Sequence, residues 1–303
     1  MVHRFPVRAP GLLVLFVALI GCQKNAPPAV EQPAPPPVAP APTAPAPVPT
    51  APMPEVPVVL PAGAVETVPP VAEDWLHQPF VEAISPEPPP DALPPVRTLA
   101  GKSVGKLAAE VHRLWPTIRF RDASGRPLTH LVTLQTHKGK IVIELFPEIA
   151  PNHCRSFLAL CLAGYYDGLQ IETRIGDPAD AASPRAVAGG SPEGDGNERA
   201  SLGYWLRPEI LTDAEAARRK VAHVRGIVGA VPGAGLPHAA GCRFYICLTD
   251  VPQMNGHYTL FGKVIEGLSI LDELHGQPVR ETPTPPWQFL TPLVIEKAIV
   301  TTR

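Results

Sequence analysis

Few side chains in this sequence have the type and spacing that covalent or metal chemistry requires. The 10 histidines are scattered without the paired spacing of metal ligands. Ser191 and Ser201 stand outside any strand–turn–helix nucleophile motif, and Asp250, within Leu-Thr-Asp, suits a turn better than acid catalysis. Gly101-Lys102-Ser103 resembles the end of a phosphate-binding loop, but position 96 is Val rather than Gly. We therefore predict neither a metal nor a cofactor.

Four of the five cysteines fall in the second half of the chain. Cys154 and Cys161 lie about 10.5 Å apart along a predicted helix, which is too far for a disulfide. Cys242 and Cys247 face opposite sides of a predicted strand. A cross-pair such as Cys161 with Cys247 is possible in an oxidising compartment. We prefer the alternative that all four are small buried hydrophobic residues.

The fifth cysteine, Cys22, has a different setting. A weakly basic start precedes an apolar run at residues 11–21. This run is too short to cross ~30 Å of hydrocarbon, but it suits the core of a signal peptide. Residues 19–22, Leu-Ile-Gly-Cys, resemble the lipobox of bacterial lipoproteins, in which the cysteine is lipidated and becomes the first residue. An ordinary cleaved signal with a chance cysteine is the alternative.

The lipobox resemblance implies a protein anchored by lipid in the cell envelope and facing the periplasm. Gln23, rather than Asp, follows the cysteine, which favours the outer membrane. Several acyl chains make a stable anchor where a single chain is marginal. The net charge of -2 offers no clustered basic face, so we predict no nucleic-acid partner.

Composition divides the chain into segments. Of the 303 residues 42 are proline, and residues 26–95 are dominated by Pro, Ala and Val. Such a stretch cannot bury enough apolar surface to offset its ordering entropy, so we expect it to be dispensable for folding. We predict four segments: a signal peptide at 1–21, a disordered proline-rich tether at 22–97, a helical annex at 98–129 and a globular domain at 130–303.

The predicted domain is mainly β. Before it, residues 103–115 carry apolar side chains at helical spacing, which predicts a helix that docks on the domain. Two β-rich runs at 131–136 and 140–146 flank a hairpin turn, and a helix follows from Pro151 to Gly164. Further β-rich runs occupy residues 226–231, 243–248, 258–264 and 293–300. Short strands with Gly and Pro turns and two main helices predict a closed antiparallel barrel.

The order of motifs resembles that of cyclophilins. Residues 132–168 resemble the family's opening hairpin, its Pro-started helix and its Tyr-Asp-Gly turn, and residues 223–229 resemble its His-x-Arg-Gly strand. Residues 241–274 resemble its Gly-Ser-Gln-Phe-Phe-Ile strand, its Trp-Leu-Asp-Gly loop and its Phe-Gly-x-Val ending. The resemblance implies an eight-stranded antiparallel barrel capped by two helices. It also implies peptidyl-prolyl isomerase activity on proline-containing polypeptide segments, without a cofactor.

The resemblance also implies how the site works. The family binds proline in an apolar pocket while an arginine donates to the prolyl amide region, which favours the twisted state. When this sequence is aligned with the family's motif, Arg174 lies one residue after the position of the catalytic arginine, and Thr173 occupies that position. A one-residue shift turns a strand side chain over, unless a bulge absorbs the extra residue, and residues 175–178 could permit one. Arg243, where the family has Gln, is the rival cation. The expected apolar floor of the groove consists of Tyr245, Met254 and Tyr258.

Other groove contacts are lost. Arg185 and Ala186 occupy the positions of the Phe and Met that line the family's proline pocket. Pro232, which lacks a backbone N–H, lies in the stretch that binds the substrate backbone in the family. We therefore expect a monomer with weakened isomerase activity that depends on Arg174. The alternative is a catalytically degenerate binding module on a membrane tether. Arg174 inside the groove favours the enzyme, and Arg174 outside favours the binding module.

Overall fold

The computed structural model describes residues 78–86, 94–177, 183–197, 200–233, 239–280 and 287–303. The predicted signal peptide, Cys22, and residues 22–77 and 87–93 of the predicted tether lie outside them. Within the described residues no helix combines the length and the apolar character needed to cross a membrane.

Eight antiparallel strands form the body of the domain. They are β1 His130–Thr136, β2 Gly139–Leu145, β3 Gln170–Ile175, β4 Ala186–Gly189, β5 Ile227–Pro232, β6 Ala239–Cys247, β7 Leu260–Glu266 and β8 Trp287–Thr302. The strands close into a barrel in the order β1-β2-β7-β5-β6-β4-β3-β8. The predicted fold class is therefore confirmed. β8 begins earlier than the predicted run at 293, because its first half pairs with β3 and its second half with β1.

The five helices of the described residues are α1 Phe80–Ala83, α2 Val104–Leu114, α3 Pro151–Leu162, α4 Asp213–Arg219 and α5 Leu268–His275. α3 starts at Pro151 as predicted, and its residues up to Cys161 are all buried. This burial arises because α3 lies between the barrel and α2. Its N-cap residue, Ala150, offers no side-chain cap. The Glu209 carboxylate takes that role, accepting from the backbone N–H groups of Asn152 at 3.0 Å and His153 at 2.9 Å.

The predicted annex helix is α2, and it docks on α3. Its buried residues Val104, Leu107 and Val111 form one stripe, as the spacing predicts. Beside α2, the Lys102 ammonium donates to two backbone carbonyls after α3, those of Gly164 and Asp167. The annex is thus part of the folded unit.

Residues 78–86, which we term the strap, also belong to the folded unit. The Phe80 ring lies 5.1 Å from the Trp115 ring and 5.2 Å from the Tyr204 ring, measured between centroids. The Trp115 indole N–H donates to the Gln78 carbonyl at 2.9 Å, and Ala83 is fully buried. The predicted tether at 22–97 therefore extends too far, and residues 26–95 are not all free of packing. One aromatic side chain anchors a segment whose average composition indicates disorder.

The four cysteines of the domain are free and buried, which agrees with the preferred sequence interpretation. The Cys154 thiol donates to the Phe261 carbonyl at 3.3 Å. Burial raises the pKa of the Cys242 thiol to about 11 and that of Cys247 to about 12. These thiols act as core residues rather than as cross-links.

Candidate functional site

One face of β6 carries the residues that the sequence analysis assigned to the groove. Alternation along the strand places Phe244 and Ile246 in the main core, while Tyr245 belongs to a second hydrophobic cluster. Met254 and Tyr258 are half-buried members of this second cluster. The structure thus brings the three predicted floor residues together, on a surface that we term the groove face.

A hydrogen-bond chain fixes the Tyr245 ring on the groove face. The Asn255 side-chain carbonyl accepts from the His223 backbone N–H at 2.8 Å and lies 2.9 Å from His223 Nδ1. Since that oxygen can only accept, Nδ1 carries the proton, and Nε2 accepts from the Tyr245 hydroxyl at 2.8 Å. Burial lowers the pKa of His223, in keeping with this neutral form. Tyr258 packs edge-on against Tyr245, with ring centroids 6.0 Å apart.

Glycine at position 229 makes room for this ring. A Cβ atom at Gly229 would lie 2.3 Å from the Tyr245 ring, a distance that side chains cannot tolerate. His223 and Tyr258 also line a small pocket together with Leu211, Ala216 and Val221. The position of the Tyr245 ring therefore depends on glycine at position 229.

Arg174 lies on the opposite side of its strand from the groove face. A bulge is present in β3, but it falls between Ile171 and Thr173, upstream of the expected run at 175–178. Thr173 therefore pairs with Ala188 of the second cluster, and Arg174 pairs with Val187 of the main core. The Arg174 guanidinium lies over the Trp287 ring, 5.1 Å from its centroid. The bulge does not turn Arg174 toward the predicted floor.

Arg243 instead shares its side of β6 with Tyr245, two residues further on. Its guanidinium Nη2 lies 3.7 Å from Glu172 Oε1, and both side chains are at least 98% buried. A Cβ atom at Gly196 would lie 2.7 Å from Thr173 Oγ1 and 4.0 Å from Arg243 Nη2. The loop 191–197 therefore covers these groups. We call Glu172, Thr173 and Arg243 the polar cluster.

The polar cluster holds hydrogen-bonding capacity that the described residues do not use. The Thr173 hydroxyl, and Nε and Nη1 of Arg243, are buried without a hydrogen-bond partner there, and the Glu172 carboxyl group has only the backbone N–H groups of Glu172 and Ser191 close by. Burial raises the pKa of Glu172 to about 8, although the Arg243 guanidinium favours the ionised form. Burial thus favours the protonated form of Glu172, in which the charge of Arg243 is left uncompensated. Unused donors and a perturbed carboxyl group in one place are typical of functional sites.

Sequence reasoning missed Glu172. The signal that points to it is the extra residue between Gly168 and Arg174, which the analysis read only as a displacement of the arginine. In the structure that extra residue enters the bulge, and the bulge brings Glu172 next to Arg243.

Comparison with known proteins gives one consistent family. The family model described as "Cyclophilin type peptidyl-prolyl cis-trans isomerase/CLD" matches residues 131–296. Mouse peptidyl-prolyl cis-trans isomerase-like 3 is 36% identical over 150 residues, which are 50% of this chain and 84% of that protein. A peptidyl-prolyl cis-trans isomerase of Helicobacter pylori is 32% identical over 153 residues, 48% of this chain and 80% of that protein.

Among solved structures, a cyclophilin of Cryptosporidium parvum, determined in the presence of the dipeptide Ala-Pro, is similar to this chain with a TM-score of 0.47. It is 26% identical, and the match covers 56% of this chain and 98% of the other. The family match extends from β1 to the second half of β8, so it includes the groove face and the polar cluster. The chain belongs to the family of cyclophilin-type peptidyl-prolyl cis-trans isomerases.

Proposed function

We propose that this chain is a peptidyl-prolyl cis-trans isomerase that binds proline-containing segments on the groove face and uses Arg243 as its catalytic guanidinium. The observation that carries the proposal is the position of Arg243: it lies on the same side of β6 as Tyr245, and its guanidinium and the Thr173 hydroxyl both face Gly196. Arg174, the other candidate, lies over Trp287 on the opposite face.

The reaction needs only differential binding of the twisted state. The X–Pro bond rotates over a barrier of ~18–20 kcal/mol because its C–N bond is partly double. A donor directed at the prolyl amide region draws the nitrogen lone pair out of conjugation and stabilises the state in which the bond is half rotated. The unused Nε and Nη1 donors of Arg243 supply such a group in a dry site, where electrostatic interactions are strong. The half-buried Met254 and Tyr258, which pack on the buried Tyr245, supply the apolar contact for the proline ring.

The same geometry supports weak activity. Arg243 is only 3% exposed, so the loop 191–197 must yield before the guanidinium meets a substrate. Pro232 provides no backbone N–H to hold the substrate chain. The loss of two hydrogen bonds made mainly in the transition state, at about 1–3 kcal/mol each, lowers the rate by about thirtyfold to about 10⁴-fold.

The test compares the wild-type chain with Arg243→Ala and Arg174→Ala in an NMR exchange assay on an Ala-Pro peptide. Circular dichroism serves to verify that all three are folded. We expect Arg243→Ala to lose about 10²-fold in kcat/KM, as for the removal of a transition-state donor. We expect Arg174→Ala to retain most of the activity. Loss in Arg174→Ala alone would contradict the assignment.

A non-catalytic binding module is the second candidate, and two observations favour it: Arg174 lies outside the groove face, and Arg243 is buried beneath the loop 191–197. If the wild-type chain at high concentration matches the uncatalysed rate while it still binds the peptide by calorimetry, this second function holds. Absence of both activity and binding contradicts both candidates.

We further propose that the protein is a monomeric lipoprotein of the cell envelope, anchored through Cys22, facing the periplasm and held at the outer membrane. The support is the short apolar run that ends in Leu-Ile-Gly-Cys and the proline-rich composition of the segment that follows. At ~3.1 Å per residue, 45 residues of such a segment reach roughly 140 Å, which suits a spacer between membrane and domain. The isomerase would then assist the folding of envelope proteins.

A further inference from the structure

We propose that Glu172 is a positioning residue for Arg243, and that a proton on Glu172 leaves the guanidinium free to act on a proline segment. This inference rests on the isomerase function proposed above and extends it to the control of the same site.

The groups around Glu172 determine whether its carboxyl group is protonated. Arg243 approaches from β6, at 3.7 Å, and carries the positive charge that faces the carboxyl group. Asp195, from the covering loop, adds negative charge and favours the neutral form of Glu172. Tyr165 and Cys242 also face it, and burial raises the pKa of both well above neutrality, so both are uncharged. The backbone N–H groups of Glu172 and Ser191 favour the ionised form instead. The charge state of this site is therefore set by the burial of Glu172 and by Arg243, with these N–H groups and Asp195 as weaker influences.

The two states of Glu172 offer Arg243 different partners. The observed separation of 3.7 Å is too long for a hydrogen bond, so with Glu172 protonated the Arg243 donors remain available to an acceptor that reaches them once the loop 191–197 yields. When Glu172 is ionised, a buried carboxylate faces a buried guanidinium, and the pair attracts strongly in a medium of low dielectric. The ion pair then neutralises the charge that the reaction requires.

The direction of the pH dependence follows from this. Burial raises the pKa of Glu172 from its ordinary value of 4.5 to about 8. The active, protonated form is therefore present below pH 8 and is lost as pH rises through that value. For a single group of this pKa, the protonated fraction falls about tenfold between pH 7 and pH 9.

The experiment measures kcat/KM of the full chain on an Ala-Pro peptide by NMR exchange between pH 6 and pH 9, where no coupling protease limits the range. Glu172→Gln keeps the shape of the side chain but cannot ionise. Glu266→Gln, at an exposed position paired with Lys140, is the matched control. We expect wild type and Glu266→Gln to lose about tenfold between pH 7 and pH 9, and Glu172→Gln to stay level.

A second readout does not depend on activity. The folded state holds a proton on Glu172 that the unfolded state releases between pH 4.5 and 8. Over that window wild type should therefore lose stability relative to Glu172→Gln, as measured by urea unfolding. A purely structural role gives a difference that does not change with pH.

The outcomes separate the two proposals. A wild-type profile that stays level from pH 7 to pH 9, or the same slope in wild type and Glu172→Gln, overturns the inference while the isomerase function stands. Absence of wild-type activity at every pH overturns the proposed function and this inference with it. Since the wild-type profile needs no variant, the test remains decisive even if Glu172→Gln does not fold.

Discussion

The strap lies in a stretch that the sequence alone assigns to the tether. Replacing Phe80 by Ala tests whether the strap packs against the folded domain. The Phe80 side chain fills a site between α2 and the segment that precedes α4. Its ring centroid lies 5.1 Å from those of His112 and Trp115 and 5.2 Å from that of Tyr204. The contacts with Trp115 and Tyr204 are edge-to-face.

The expected loss of stability follows from burial and ring geometry. Truncation of a fully buried Phe costs about 3–5 kcal/mol, and Phe80 is half-buried. Each edge-to-face pair contributes about 0.5–1.5 kcal/mol beyond area burial. We therefore expect Phe80→Ala to lower the free energy of unfolding by about 2–3 kcal/mol. In a domain of roughly 200 residues this corresponds to a decrease in Tm of about 5–10 °C.

The assay is thermal and urea unfolding of the full chain, followed by circular dichroism. Val81→Ala is the matched control, because the adjacent Val81 is 69% exposed and surface changes stay within about 0.5 kcal/mol. If Phe80→Ala unfolds together with wild type and Val81→Ala, the strap does not pack, and the tether boundary at residue 97 is restored.

Three further predictions concern other elements. Glu209→Ala should lower the free energy of unfolding by about 2 kcal/mol in urea, because the N–H groups at the start of α3 lose a charged acceptor; an unchanged midpoint contradicts this. Gly229→Ala should displace Tyr245 and reduce kcat/KM at least tenfold, whereas Gly105→Ala, where a Cβ meets nothing within 4 Å, should not. Cys22→Ser should abolish the incorporation of labelled palmitate in an expressing bacterium, and equal labelling of both chains refutes lipidation.

The elements that the sequence predicts well are those whose signals are local. Pro151 and Gly164 mark the two ends of α3, and the stripe of α2 is visible in the spacing of its apolar residues. The strap is different, because its order depends on Trp115 and Tyr204, which lie far from Phe80 in sequence. Averaged composition does not reveal a single anchoring side chain whose partners are distant.

The groove shows the same division. Tyr245, Met254 and Tyr258 could be placed together from motif order, and Arg243 could be placed on the side of Tyr245 from strand alternation. The contact between Arg243 and Glu172 could not be predicted, because the position of a bulge depends on which residue of the neighbouring strand pairs with which. The pairing of Thr173 with Ala188 fixes the position of the bulge in β3, and that register is a property of the closed barrel.

The reactivity of the four buried thiols can be used to measure local opening of the domain. Alkylating reagents attack the thiolate, and a thiol with a pKa of about 11 is ionised to only about one part in a thousand at pH 8. Cys154 and Cys161 lie on α3, and Cys242 and Cys247 lie on β6. Each therefore reacts only when its own element separates from the barrel, and the rate of labelling at each cysteine measures the free energy of that local separation. Mass spectrometry of the labelled peptides would thus rank the helix and the strand by local stability, without any engineered probe.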